Sequence, residues 1–353
     1  MTPSRWLFSV IECHIPVQNP STSTTQTLKH INSRPFSPPD NPKVSVFGQK
    51  LSRNRTQASL GENPNVMPYN KFLHYFVLAH RLHLSISGSV MCAASIGLLK
   101  VLHREGIPIG MLVGSSGGSI YAASIALGYT TEQIEQLSLQ LWTSDLFEGY
   151  ASNLRATLSG ESQFTELTGM IDDQPMLRQL RMVFEGQNFK DTQIPLFIVS
   201  TDFYSGESIT HNEGSILDAV RASIAIPLVF SPWKIGEQLL VDGAVSNPLP
   251  VDVAIMHGAG LILAMGFELP LRRRTRSYTA VTSHFNSIYM NNILKARFSF
   301  FNAVHHAEII PILPEFQSKI STFDVDKIPH IIEQGERATE QQIGYIKRLL
   351  AAG

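Results

Sequence analysis

Nine consecutive residues, Leu112-Val113-Gly114-Ser115-Ser116-Gly117-Gly118-Ser119-Ile120, restrict the fold of this chain more than any other stretch. An apolar run from Ile109 to Val113 leads into Gly114-Ser115-Ser116-Gly117-Gly118, and a segment rich in small residues continues from Ile120 to Leu127 and stops at Gly128. This reads as strand, sharp turn and helix, with Ser116 at the tip of a Gly-x-Ser-x-Gly turn. Gly114, Gly117 and Gly118 suit a turn that is strained and leaves no room for neighbouring Cβ atoms.

The text around this turn keeps alternating between strand and helix. Leu82 to Ile86 reads as a short strand, and Ala93 to Arg104 as a helix ended by Gly106. Thr130 opens a further helix, with Gln133 at capping-box spacing. Ile194 to Thr201 is a buried-strand run that turns at Asp202 to Gly206 into Glu207 to His211. A short helix, Ile216 to Ser223, follows. Leu239 to Val241 leads into Asp242-Gly243-Ala244, then come a helix from Val251 to His257 and a strand from Leu261 to Met265. The last helix is predicted from about Pro329 to Leu350, with Ile332, Gly335, Thr339, Ile343 and Ile346 near one stripe. Such alternation predicts an α/β fold: a mostly parallel central sheet with helices on both faces.

Composition narrows the class of function. Apolar residues make up 43% of the 353 residues, enough for a substantial core, and 28 basic against 29 acidic residues leave no global charge for holding nucleic acid. Cys13 and Cys92 are too far apart in sequence to suggest a disulfide framework or a metal cluster. Phe72 to Ile86 is the nearest approach to a membrane-spanning run, and His74, His80, Arg81 and His83 break it.

Residues 1–75 differ from the rest. Ser, Thr, Pro, Asn and Gln dominate, no apolar periodicity persists, and the segment is predicted to be a disordered tail. Its basic, Ser-rich and acid-poor balance is equally that of an organelle transit peptide and of a solvated tail with no address.

In an α/β sheet reactive groups collect at the carboxyl ends of the strands. Ser116, after Ile109 to Val113, and Asp242, after Leu239 to Val241, both fall there by local context. A serine hydroxyl needs a base to become a nucleophile, either a histidine oriented by a carboxylate or a carboxylate in direct contact. Gly243 lets the backbone turn sharply and aim the Asp242 carboxylate.

These words, together with Ile96 to Leu102, Thr201-Asp202, Gly206-Glu207, Ala219 to Pro227 and Val241 to Pro250, are similar to the patatin-like phospholipase family. The resemblance runs from about residue 82 to 268 and continues weakly into the last helix. It implies a patatin-like α/β hydrolase domain over 80–270, with 271–353 a helical extension packed on the same domain. It further implies hydrolysis of lipid acyl esters through an acyl-enzyme by a Ser-Asp dyad, with Ser116 the nucleophile, Asp242 the base, and no metal or cofactor.

One departure stands out. The family's oxyanion loop is Gly-x-Gly-x-x-Gly, usually with an arginine before its last glycine. Here the aligned stretch is Ser87-Gly88-Ser89-Val90-Met91-Cys92, so only the intervening Gly88 remains. Oxyanion holes use backbone N–H groups, so amides near Gly88 and Ser89 are the expected donors. A Cβ where positive φ is required costs about 1–2 kcal/mol. Two alternatives stay open: a lipid-binding or scaffolding relative that keeps Ser116 and Asp242 without turnover, and a Ser-Asp-His triad. For the triad, His257, His284, His305, His306 and His330 follow Asp242 in the right order. The expected partner is a lipid ester, with peripheral contact to a membrane as an option through Arg272 to Arg276 and no nucleic acid. The location is cytoplasmic or at a membrane surface, and the oligomeric state is open.

Overall fold

Alternating side chains along the strands divide the protein into two buried layers on either side of one sheet. The structure is a computed structural model and describes residues 83–86 and 90–352, apart from 143–148, 162, 270, 272, 273, 275, 317–319 and 321–323. The tail predicted over 1–75 lies outside the described residues. Among the described residues the sheet has eight strands: β1 (His83–Ile86), β2 (Met111–Ser115), β3 (Leu196–Asp202), β4 (Ser208–His211), β5 (Trp233–Ile235), β6 (Gln238–Asp242), β7 (Leu261–Met265) and β8 (Glu308–Ile312). Their order is β5-β6-β3-β2-β1-β7-β8, with β4 paired to β3. β3, β2, β1, β7 and β8 are mutually parallel, β4 and β6 lie antiparallel to β3, and β5 is antiparallel to β6. The sheet is thus mostly parallel, with an antiparallel margin on the β6 side.

Successive residues of a strand face opposite ways. Leu112, Ile198, Leu263 and Ile310 enter one layer of core, while Met111, Val113, Phe197, Val199, Ile262 and Ala264 enter the other. The first layer is closed by α1 (Ala94–Arg104), α2 (Gly118–Ala126), α3 (Thr131–Leu141), α5 (Gln174–Phe184), α6 (Ile216–Ser223) and α9 (Ile328–Ala352). α7 (Val251–Met256) and α8 (Tyr278–Val304) close the second, and α4 (Tyr150–Leu158) has no buried residue.

Local chemistry explains several boundaries. Thr130 caps α3 by the predicted capping box: Thr130 Oγ1 accepts from Gln133 N at 3.3 Å, and Gln133 Oε1 accepts from Thr130 N at 2.8 Å. α1 and α9 meet backbone to backbone. A Cβ on Gly97 would lie 2.1 Å from Ile332 O, and one on Gly335 would lie 2.0 Å from Ala94 O. The 27-residue α8 and the strands β5 and β8 were not predicted. The stretch 271–353, expected to be helical, therefore also contributes a strand, which pairs with β7 from Leu261↔Glu308 to Met265↔Ile312.

Candidate active site

The register of three strands brings Ser116 and Asp242 together. β2 pairs with β3 so that Ser115 is level with Val199, and β3 pairs with β6 so that Ser200 is level with Asp242. One step along each strand, Ser116 and Asp242 reach the same height on either side of β3. The sequence placed Asp242 at the end of one more parallel strand. β6 in fact runs antiparallel to β3, so register rather than strand polarity puts the carboxylate there.

The chain leaves β2 at Ser115, reverses at Ser116 and enters α2 at Gly118. Ser116 has φ of 54°, in the left-handed region that a residue with a Cβ adopts at a cost of about 1–2 kcal/mol. Neighbouring hydroxyls hold it. Ser223 Oγ accepts from Ser116 N at 2.9 Å and donates to Val199 O at 2.7 Å. Ser119 Oγ donates to Ser116 O at 2.7 Å, and Ser115 Oγ donates to Asn247 O at 2.9 Å. The glycines answer close approaches. A Cβ on Gly114 would sit 2.5 Å from Ser119 Cα, and one on Gly243 would sit 2.1 Å from Val199 O.

Ser116 Oγ donates to Asp242 Oδ2 at 2.6 Å, and both residues are buried. Asp242 Oδ1 accepts from Ala244 N at 2.8 Å, and Thr201 Oγ1 donates to Asp242 O at 2.9 Å. Burial raises the Asp242 carboxyl to about 7, while its hydrogen bonds from Ser116 and Ala244 pull the other way. A carboxylate tuned to neutrality and bonded to a serine hydroxyl has the position and basicity of a general base. Ser115, Ser119, Thr201 and Ser223 were not singled out from the sequence. Thr201 and Ser223 lie within the family-like words, but nothing in the sequence says where their hydroxyls point.

Gly88 and Ser89 lie outside the described residues. Their continuation, Val90–Ala93, is a single fully buried turn of 3-10 helix leading into α1. Among the described residues only Ser116 and Leu228 are non-glycine residues at positive φ, so Cys92, which replaces the last motif glycine, carries no left-handed strain. Burial, and next the nearby Asp242 charge, push the Cys92 thiol well up.

The histidines proposed for a triad are dispersed. The His257 ring packs tilted against Phe197 in the second layer, with centroids 4.0 Å apart, and its Nδ1 lies 2.8 Å from Val253 O. His305 and His306 follow the end of α8, His284 lies on α8 beside Phe285, and His330 pairs with Glu333 at 3.5 Å. The side-chain partner of Ser116 Oγ is a carboxylate, not a histidine. Among the described residues no group of three or more His, Cys, Asp or Glu side chains could hold a metal ion, and no helix is long and apolar enough to cross a membrane. Trp142 and Phe230 are core residues, and Trp233 lies under the buried Arg221 guanidinium, 4.9 Å from ring centre to Cζ. Asp202 and Asp218 hold local structure: Asp202 Oδ1 accepts from Tyr204 N and Ser205 N, and Asp218 Oδ1 from Trp233 Nε1.

The chain is 31% identical over 179 residues to an NTE family protein of Mycobacterium tuberculosis, covering 50% of this chain and 28% of that protein. It is 28% identical over 182 residues to patatin-like phospholipase domain-containing protein 6 of Mus musculus, covering 50% of this chain and 13% of that protein. The chain thus spans well under a third of these relatives. Among solved structures, VipD from Legionella pneumophila superposes with a TM-score of 0.41 at 16% identity, over 75% of this chain and 67% of that one. The patatin-like phospholipase profile matches residues 85–255, from β1 through Asp242-Gly243-Ala244 into α7. That span holds both Ser116 and its carboxylate partner, and residues 85–255 belong to the patatin-like phospholipase family.

Proposed function

We propose that this chain hydrolyses acyl esters of lipids, with Ser116 as nucleophile and Asp242 as its base. Family membership implies lipid acyl hydrolysis, and members are generally serine hydrolases. The observation that carries the residue assignment is the 2.6 Å hydrogen bond from Ser116 Oγ to Asp242 Oδ2, made at a strained turn that opens a helix.

The chemistry follows from the geometry. Asp242 Oδ2 takes the hydroxyl proton as Ser116 Oγ bonds to the ester carbonyl carbon, and the carbonyl electron pair moves onto oxygen. The amino end of α2 directly follows Ser116, and helix amino ends favour negative charge. The Gly117 N–H and the amides near Gly88 and Ser89 are the proposed oxyanion donors. Collapse of this intermediate breaks the ester C–O bond, and the leaving alcohol takes the proton from Asp242. Water then attacks the acyl-enzyme with Asp242 as base, releasing the acid and restoring the Ser116 hydroxyl.

The test is covalent labelling with a fluorophosphonate together with hydrolysis of a short-chain nitrophenyl ester. The wild type is expected to label, Ser116→Ala is not, and Asp242→Asn is expected to lose about 10²–10⁴-fold in turnover, the range of a general base. Labelling that persists in Ser116→Ala sinks the nucleophile assignment. A folded wild type that neither labels nor turns over the ester favours the lipid-binding reading.

A further inference from the structure

We infer that the amino-terminal half of α8, with Arg274 and Arg276 at its foot, docks on an anionic lipid surface and turns the Ser116 edge of the sheet toward it. This rests on the lipid-ester reading above. It is carried by three observations that the proposed dyad does not use.

The first is length. α8 has 27 residues, about 40 Å at the rise of a helix, whereas β7 has five, about 17 Å. The helix carries the chain from the carboxyl end of β7 back to the start of the parallel strand β8, so it runs against the strands. It is pinned from Asn291 onward. The Asn291 side chain bonds Leu269 N and O at 2.8 and 2.9 Å, Leu294 lies against Gly266 just past β7, and Arg297 Nη1 meets Asp252 Oδ2 at 3.1 Å. Ser287 is also buried, so the turns before Ser287 overhang the carboxyl edge of β7. That edge is the one bearing Ser116: Met265 is level with Ile86, and only β1 separates β7 from β2, about 10 Å across the sheet.

The second is the face presented. Val281, Phe285 and Tyr289 recur every four residues and form one stripe. They are 37%, 50% and 61% exposed, and the Phe285 and Tyr289 rings stack at 6.3 Å. Aromatic and aliphatic side chains of this kind on a helix enter the boundary between headgroups and acyl chains.

The third is charge. No Asp or Glu occurs between Glu268 and Glu308, while Arg272, Arg273, Arg274, Arg276, Lys295 and Arg297 all fall there. Lys295 and Arg297 are paired with Glu268 and Asp252. Arg274 and Arg276 are exposed just ahead of the helix. A stripe of aromatics beside arginines that pair with no carboxylate among the described residues complements a surface that is apolar inside and anionic at its face.

The test uses the full chain carrying Ser116→Ala, so that binding is read without turnover, in co-sedimentation with phosphatidylcholine vesicles with and without phosphatidylserine. Binding is expected only with phosphatidylserine and to fall with added salt. Arg274→Gln and Arg276→Gln should each weaken it about five-fold, and Phe285→Ser with Tyr289→Ser should remove it. Met182→Ser, an equally exposed side chain on α5 in the other layer, should leave it unchanged. In the otherwise wild-type chain the α8 substitutions should leave hydrolysis of a soluble short-chain ester intact. An inactive wild type that still binds vesicles through α8 would strike the proposed function and spare this inference. Equal binding by the Phe285→Ser, Tyr289→Ser chain, or equal binding to pure phosphatidylcholine, overturns it. So does self-association that the same substitutions abolish while vesicles are ignored.

Discussion

The Ser223 hydroxyl joins the strained backbone of Ser116 to the neighbouring strand: it accepts the Ser116 N–H and donates to Val199 O. Both partners are buried with it, so Ser223→Ala leaves a buried donor and a buried acceptor without that link. A loss of about 1–3 kcal/mol in stability is expected from urea unfolding. Because the bond also steadies the left-handed turn at Ser116, fluorophosphonate labelling should slow even at temperatures where the variant is folded.

Activity should follow the ionisation of Asp242. A base must be unprotonated, and burial lifts this carboxyl to about 7. The logarithm of kcat/KM for a neutral ester is expected to rise with unit slope below that pH and to level off above it. A profile already flat at pH 5 would remove Asp242 from the role.

The same shift predicts how stability changes with pH. The folded protein binds the Asp242 proton more tightly than the unfolded chain, whose carboxyl has its ordinary value of 3.8. The stabilising contribution is therefore full below pH 4 and is lost as pH rises through 7. Asp242→Asn cannot ionise, so it should gain stability relative to the wild type as pH rises over that window. Melting temperatures of the two proteins across pH 5 to 8 measure this directly.

Gly335→Ala should be among the most damaging single changes far from the site. Its Cβ would fall 2.0 Å from Ala94 O, and both neighbours are helix backbone that cannot step aside. Separating α1 from α9 opens a cavity between them, and a loss of about 3 kcal/mol or more is expected from chemical denaturation. Gly106→Ala provides the contrast. Its Cβ meets nothing within 4 Å, so the cost there is only that of φ +65°.

Much of this arrangement could be read from the residues. Strands buried on both faces, such as Leu261–Met265, give continuous apolar runs, and the capped and amphipathic helices α3 and α6 announce their own limits. The failures have physical causes. α8 carries Phe285, Tyr289 and Phe300 on its outer side, opposite the apolar residues that face the core, so no polar face marks the helix in the sequence. β8 contains Pro311, which argues against a strand in the middle of a sheet; here β8 is the margin, where a missing N–H is tolerated. The Ser116 turn and Asp242-Gly243 were legible because glycine marks the close approaches. The support from Ser223 and Thr201 was not, because serine and threonine are common and their contacts span 107 and 41 residues of sequence.

The glycine contact between α1 and α9 also bears on the order in which the protein is made. β2, β3 and β6 have all been synthesised once Asp242 is in the chain, so the serine and its carboxylate can meet early. α1, which continues from the buried turn behind Gly88 and Ser89, must wait until the ribosome has passed Ile328 for the helix that seats it. Translation thus separates two contacts in time: the Ser116–Asp242 hydrogen bond can form first, and the close packing of α1 on α9 can form only last. A chain still being elongated can join β2 to β6 through Ser116 and Asp242 before α1 has the helix against which it packs.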